Sequence, residues 1–337
     1  MTLFDKVVVT GGAGFIGSHL VDYLLGKGLA KHVVVIDNLS SGRKEFVEPW
    51  VRKGLATLVV EDLRSWGRWV EHLRGADVVF HLAADPEVRR GFTDPRSHFD
   101  NNLLATFNLL EACRRVGVER HFFASSSTVY GDARVLPTPE DYHPMEPISL
   151  YGAAKLGCEA MYIAYSKTIG FRVVIARYAN IVGPRARHGV VWDFVNKLLR
   201  DPRRLEILGD GTQRKSYLYV SEAVEATVHL AKMLDRVESY DVFNVGNRDW
   251  VTVKEIADIV VEEMGLKNVE YVYKPATPDG RGWPGDVKLM LLDIRKIEAT
   301  GWSPRISSAQ AVRLTARAII EELKHAKGAS QEPASGS

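Results

Sequence analysis

The sequence predicts an α/β protein built on a doubly wound parallel sheet, with a second, smaller α/β domain beside it. Two observations carry that prediction. Short, continuous β-branched runs alternate with longer segments of helical period, and a glycine-rich loop joins the first run to the first helical segment. The runs Val7-Val8-Val9, Val33-Val34-Val35-Ile36, Thr57-Leu58-Val59-Val60, Val78-Val79-Phe80 and Phe122-Phe123-Ala124 are mostly apolar and of strand length, as strands buried on both faces of a parallel sheet must be. Between them, Ile16, Leu20 and Leu24 recur at four-residue intervals, and Leu103, Phe107, Leu110 and Cys113 mark an apolar stripe within 98–117. A strand at Arg172–Arg177 closes the first domain, expected to span 1–180. Beyond it, Pro184, Pro202, Gly209-Asp210-Gly211, Pro275, Pro278 and Pro284 separate short strands from helices at 221–235, 252–264 and 308–326. These form a smaller domain over 181–327, interleaved with the first at its boundary, that closes a cleft. The small polar residues 328–337 read as a disordered tail.

Charge excludes several classes. Forty-four Lys and Arg against forty-two Asp and Glu leave a net charge of +2, with no long like-charge block, so a nucleic-acid partner is not expected. No apolar run approaches the roughly 18 residues of a membrane span. The apolar start breaks at once into Gly11-Gly12-Ala13-Gly14, unlike a signal peptide, and a cytoplasmic protein is expected. Cys113 and Cys158 belong to no CxxC or Cys/His cluster; they read as small buried hydrophobes, and no metal site is expected.

Gly11-Gly12-Ala13-Gly14-Phe15-Ile16-Gly17 stands where a dinucleotide pyrophosphate binds. The glycines allow a tight turn and close backbone approach, and the helix start presents free N–H groups to the phosphates. Asp37 ends the second strand twenty residues after Gly17. A carboxylate there accepts both ribose hydroxyls and repels a 2′-phosphate, which selects NAD over NADP. Asn38-Leu39-Ser40-Ser41-Gly42 keeps Arg43 at a distance. Asp62-Leu63 follows the third strand, where Asp62 either reaches the adenine or caps a helix.

Tyr151 and Lys155 share one helix face at i, i+4. A free phenol has a pKa of roughly 10, and bringing it near neutrality takes about 4 kcal/mol of preferential phenolate stabilisation. A neighbouring ammonium and a positively charged nicotinamide in a dry cleft are suited to supply it. The polar end Ser125-Ser126-Ser127-Thr128 after Phe122-Phe123-Ala124 offers a hydroxyl where ligands sit in such sheets.

With these blocks the chain resembles the extended short-chain dehydrogenase/reductases, specifically the NAD-dependent epimerase/dehydratase family, and within it the UDP-glucose 4-epimerases of archaeal type. The resemblance runs from residue 5 to about 326. It is carried by GGAGFIGSHL at 11–20, DNLSSG at 37–42, FHLAA at 80–84, DNN at 100–102, SSSTVYG at 125–131, YGAAK at 151–155, RYANIVGPR at 177–185 and GDGTQRKSYLYV at 209–220. It implies a Rossmann domain with Ser126 as catalytic hydroxyl, Tyr151 as base and Lys155 as its activator and a ribose contact. Cofactor contacts are implied for Gly11, Gly14, Phe15, Ile16, Gly17, Asp37, Asn38, Ser40, Gly42, Asp62, Leu63, Phe80, Ala83, Ala84, Asn101, Ser126 and Tyr178. For a nucleotide sugar the resemblance implies Asn180, Val190, Val191, Glu206, Ile207, Leu208, Lys215, Tyr217, Arg281 and Asp286, along with Ser126 and Tyr151. Lys215 stands where the family carries a phosphate-binding arginine, beside Arg214. Trp283 stands where it carries another, near Arg281, and Met290 stands at its size gate. His81 reads as a structural histidine, and Arg185, Arg187, Arg203 and Arg204 as solvated surface charge.

The resemblance implies that 4,6-dehydratases carry an Asp and a Glu where this chain has Ser127 and Thr128, and that the decarboxylating branch keeps the Glu. The expected activity is therefore interconversion of UDP-galactose and UDP-glucose through a 4-keto sugar, by a homodimer with a four-helix interface. Alternatives left open are epimerisation of UDP-N-acetylglucosamine or UDP-glucuronate, net dehydrogenation on the same fold, and a non-catalytic NAD-binding scaffold.

Overall fold

The computed structural model describes residues 2–329, with side chains as far as residue 324. Six strands form in chain order: β1 (Phe4–Thr10), β2 (Ala30–Asp37), β3 (Ala56–Val60), β4 (Val78–His81), β5 (Arg120–Ser126) and β6 (Arg172–Tyr178). The next four, β7 (Asn180–Val182), β8 (Arg204–Leu208), β9 (Arg214–Lys215) and β10 (Tyr217–Tyr219), leave that sheet, and β11 (Tyr240–Val245) returns to it. The result is a seven-stranded parallel sheet of order β11–β6–β5–β4–β1–β2–β3. The winding reverses between β1 and β4, and such a reversal leaves a crevice at the carboxyl ends of the strands.

Seven helices of eleven residues or more are present among the described residues: α1 (Phe15–Gly26), α2 (Ala105–Val116), α3 (Leu150–Ile169), α4 (Val190–Arg200), α5 (Val220–Ala231), α6 (Val253–Glu263) and α7 (Ser308–Ala329). Alternation along β1 divides the core. Val7 and Val9 pack with α1 and α5 on one face, and Val8 packs with α2 and α3 on the other. Ser149 caps α3, its hydroxyl accepting from Gly152 N at 3.1 Å. A third core joins α4, α6 and α7 in the smaller lobe, where β12 (Val251–Thr252) and β14 (Leu289–Met290) flank β9, and β13 (Glu270–Lys274) pairs with β8.

Three expectations need correction. The boundary at 180 is crossed, because α5 packs on the large sheet and β11 pairs along β6, covering an edge that would otherwise leave its N–H and C=O groups unpaired. The segment 98–117 is not one regular helix, since Phe99–Leu104 forms a π-helical turn before α2. Residues 328 and 329 continue α7, while the rest of the expected tail, 330–337, lies outside the described residues.

Candidate active site

A cavity of about 470 Å³ opens at the carboxyl ends of β1, β4 and β5 and extends under the smaller lobe. Its floor is the loop between β1 and α1. Gly11 has φ +69°, and a Cβ there would lie 2.7 Å from Ala83 N. A Cβ on Gly17 would lie 2.2 Å from Gly11 O, so only glycine lets the helix start sit this close to the turn. Gly14, Phe15 and Ile16 complete that floor. Asp37 closes one side, its carboxylate accepting from Ala13 N at 3.0 Å and Leu39 N at 2.8 Å. Burial raises its pKa against the pull of those two N–H groups. Asn38 and Ser40 line the cavity next to it, as do Asp62 and Leu63 from the loop after β3. Burial works upward on Asp62, yet Arg64 and Asn38 hold its carboxyl down to about 2. A glycine cradle, a helix start and a carboxylate on a strand end fit a dinucleotide.

The chemistry-bearing residues meet at the far end. Ser126 Oγ, at the tip of β5, accepts from Thr128 N at 3.2 Å and from the Thr128 hydroxyl at 3.0 Å. Lys155 is 3% exposed and donates to Ala124 O at 2.8 Å, with its Nζ 5.9 Å from the centre of the Tyr151 ring. Burial pulls the Lys155 ammonium down to about 8, against the pull of Cys158 and Glu159. Burial also pushes the Tyr151 phenol up to about 12, and the Ser126 hydroxyl beside it works the other way. In the protein without a dinucleotide, the ammonium is engaged with a carbonyl and desolvation dominates at the phenol. Ala83, Ala84, Asn101 and Tyr178 also line the cavity. Asn101 lies in the π turn and donates to Ser97 O at 2.8 Å; such turns recur at functional sites.

Asn180, Val190, Val191, Lys215 and Tyr217 line the lobe-facing end. Lys215 is held by Asp286 at 2.6 Å, with Asp286 2% exposed. Seven expected residues do not line the cavity. Gly42 lies behind Asp37, where a Cβ would come 2.7 Å from its carboxylate. Phe80 is fully buried between Phe4 and Phe122. On β8, Ile207 points into the smaller lobe's core, Glu206 is exposed and holds Lys197, and Leu208 backs Gly282. Arg281 bonds Asp132, Asp279 and the Asp286 carbonyl, so both it and Asp286 support the wall from behind.

The arginine expectation is half overturned. Arg203 and Arg204 are exposed, but Arg185 and Arg187 line the cavity, paired with Asp22 at 2.8 Å and Glu322 at 3.0 Å. His81 is buried between the hydroxyls of Thr10 and Thr106. Sequence reasoning missed Thr128, Pro86, His188, Trp192, Thr315 and Ile319 as lining residues. Thr128 lay within the quoted hydroxyl block, whereas Thr315 and Ile319 sit on a helix with no motif. Among the described residues, no cluster of His, Cys, Asp or Glu suits a metal ion, and no helix is long and apolar enough to cross a membrane.

A dinucleotide cradle running into a cluster of Ser, Tyr and Lys side chains fits an NAD-dependent α/β enzyme. The model of the NAD dependent epimerase/dehydratase family matches residues 7–246, and the chain belongs to that family. A Methanocaldococcus jannaschii protein carried under the provisional description UDP-glucose 4-epimerase is 32% identical over 312 residues, 91% of this chain and 96% of that one. A UDP-glucuronic acid decarboxylase of Arabidopsis thaliana is 35% identical over 311 residues, 90% of this chain and 67% of that one. A solved UDP-galactose 4-epimerase is 50% identical, with a TM-score of 0.83, covering 94% of this chain and 99% of that one.

Proposed function

We propose that the protein is a UDP-glucose 4-epimerase that interconverts UDP-galactose and UDP-glucose and serves galactose metabolism. One observation carries this choice over decarboxylation and dehydration. Among the described residues, the acidic side chains lining the cavity are Asp37, the last residue of β2, and Glu61 and Asp62, which follow β3. Thr128 and Asn180 line the cavity with Ser126, Tyr151 and Lys155. Asp85, whose charge acts on Tyr151, is bonded by Ser97 and Arg90 and is not part of the lining. This supports a site where a 4-keto sugar meets no carboxylic acid able to drive elimination.

Bound NAD supplies a reversible acceptor for the hydrogen at C4. Gly11, Gly14 and Gly17 would hold its pyrophosphate, and Asp37 its ribose hydroxyls. Ser126 orients the C4 oxygen, Tyr151 takes and returns its proton, and Lys155 stabilises the phenolate as a cation in a water-poor site. Lys215 and Tyr217 anchor the nucleotide end, leaving the sugar free to present its other face. A second reading is an epimerase of N-acetylated or uronate sugars. Met290, at the expected size gate, is 7% exposed and packs in the core without lining the cavity. Incubation with UDP-galactose should yield UDP-glucose with no net NADH; stoichiometric NADH without UDP-glucose would exclude epimerisation. A panel of N-acetylated and uronate substrates separates the two epimerase readings.

We also propose a cytoplasmic homodimer. Two buried free thiols, Cys113 and Cys158, fit a reducing compartment. On the face formed by the π turn and α2, Phe99 and Phe107 are 53% and 45% exposed, while Leu110 and Cys113 of the expected stripe point inward. A second copy of this face is its natural cover.

A further inference from the structure

Three successive residues at the end of β5 are tied to three successive turns of α3. The Ala124 carbonyl accepts from Lys155 Nζ at 2.8 Å. The Ser125 hydroxyl donates to Glu159 Oε1. Ser126 stands beside the Tyr151 hydroxyl. Tyr151, Lys155 and Glu159 are spaced by four, so they lie in one row down the helix. The mechanism uses the first two; Glu159 is 1% exposed and has no part in it so far.

Glu159 is anchored on its other side as well. Arg177 of β6, itself 3% exposed, donates to both its oxygens, with Nη2 2.7 Å from Oε2 and Nε 3.0 Å from Oε1. Arg177 Nη1 also donates to Tyr130 OH at 2.8 Å, and that hydroxyl donates to Asn244 Oδ1 of β11 at 2.8 Å. One carboxylate therefore joins α3 to β5 and β6, and through Arg177 to the turn at Tyr130 and to β11. A bidentate pair of this kind fixes geometry in two directions. With both partners buried, the arrangement is costly to assemble and is weak evidence of stabilisation for its own sake.

We propose that Glu159 is a positioning residue: held by Arg177 and accepting from Ser125, it sets the register between α3 and the end of β5 that gives Ser126, Tyr151 and Lys155 their reactive spacing. The inference rests on the roles assigned to those three residues under the proposed function. Glu159 also places a negative charge one turn beyond Lys155 and so favours its ammonium form. The other groups facing Lys155 are Cys158 and Tyr151 on its own helix and His81 on β4. Glu159 itself faces Arg177 and Tyr130 beyond α3.

The test measures kcat, KM and the pH dependence of kcat for UDP-galactose epimerisation by the NAD-loaded enzyme. Y151F comes first; full turnover in that variant would overturn the assigned roles, and with them the basis of this inference. In E159Q, kcat should fall at least about tenfold with KM nearly unchanged, as expected when reacting groups are displaced without loss of binding. Its alkaline limb should move to lower pH, because Lys155 loses the charge that favours its protonated form. In S125A, which keeps the ion pair, kcat should fall while the alkaline limb stays in place. A folded E159Q with kcat within twofold of the parent and an unmoved limb would overturn the positioning role while leaving the Tyr151 assignment intact. Should E159Q not fold, S125A decides, and kcat within twofold of the parent overturns the proposal.

Discussion

The ammonium of Lys155 lies 5.9 Å from the centre of the Tyr151 ring while donating a hydrogen bond to the Ala124 carbonyl at 2.8 Å. With the phenol pushed up to about 12 and the ammonium pulled down to about 8, the protein alone holds Tyr151 protonated at neutral pH. Because the Lys155 pKa is lowered, its charge is present below about 8 and lost as pH rises through that value. Turnover is expected to decline on the alkaline side from about pH 8, and Lys155→Met should remove that limb along with most of kcat. Tyr151→Phe should lower kcat by about 10²–10⁴-fold, the usual contribution of general acid–base catalysis. Initial rates between pH 6 and 10 check both.

Asp37 accepts two backbone N–H bonds at the cavity wall and should discriminate between the two dinucleotides. Asp37→Ala is expected to weaken NAD binding by about tenfold, roughly 1.4 kcal/mol, and to narrow the preference over NADP. Calorimetric titration of protein stripped of cofactor measures both. An unchanged NAD/NADP ratio would remove Asp37 from the ribose site.

Lys215 lines the cavity while paired with the buried Asp286 at 2.6 Å. Lysine grips a phosphate as a point charge rather than through a fork. Lys215→Met should raise KM for UDP-galactose about tenfold with kcat within twofold, the pattern of lost uniform binding. A fall in kcat with KM unchanged would instead place Lys215 in the chemistry.

Phe99 and Phe107 lie exposed on the π turn and α2. Light scattering should report twice the monomer mass, and Phe107→Glu should convert it to the monomer mass by placing a charge in the apolar contact. A parent protein that is monomeric at micromolar concentration would exclude the dimer.

The cofactor end of the site was legible because its signals are local. Gly11 and Gly17 are needed where the chain turns on itself within seven residues, and Asp37 ends a run whose length shows where the strand stops. Phe80 lies inside β4, which is buried on both faces, while Leu82, Ala83 and Ala84 of the FHLAA block reach the cavity because they follow the end of that strand. On β8 it is strand alternation that decides, with Ile207 inward and Glu206 outward. Arg185 and Arg187 read as solvated because their partners Asp22 and Glu322 stand more than a hundred residues away along the chain.

By itself the sequence determined the parallel α/β class, the glycine turn and the i, i+4 pairing of Tyr151 with Lys155, since period and short-range spacing depend on backbone geometry alone. Tertiary structure decided which side chains face the cavity, that β11 completes the first sheet, and that Glu159 meets Ser125 and Arg177. Those outcomes turn on which strand edges remain unpaired and which distant charges must share a dry interior, and no local pattern records either.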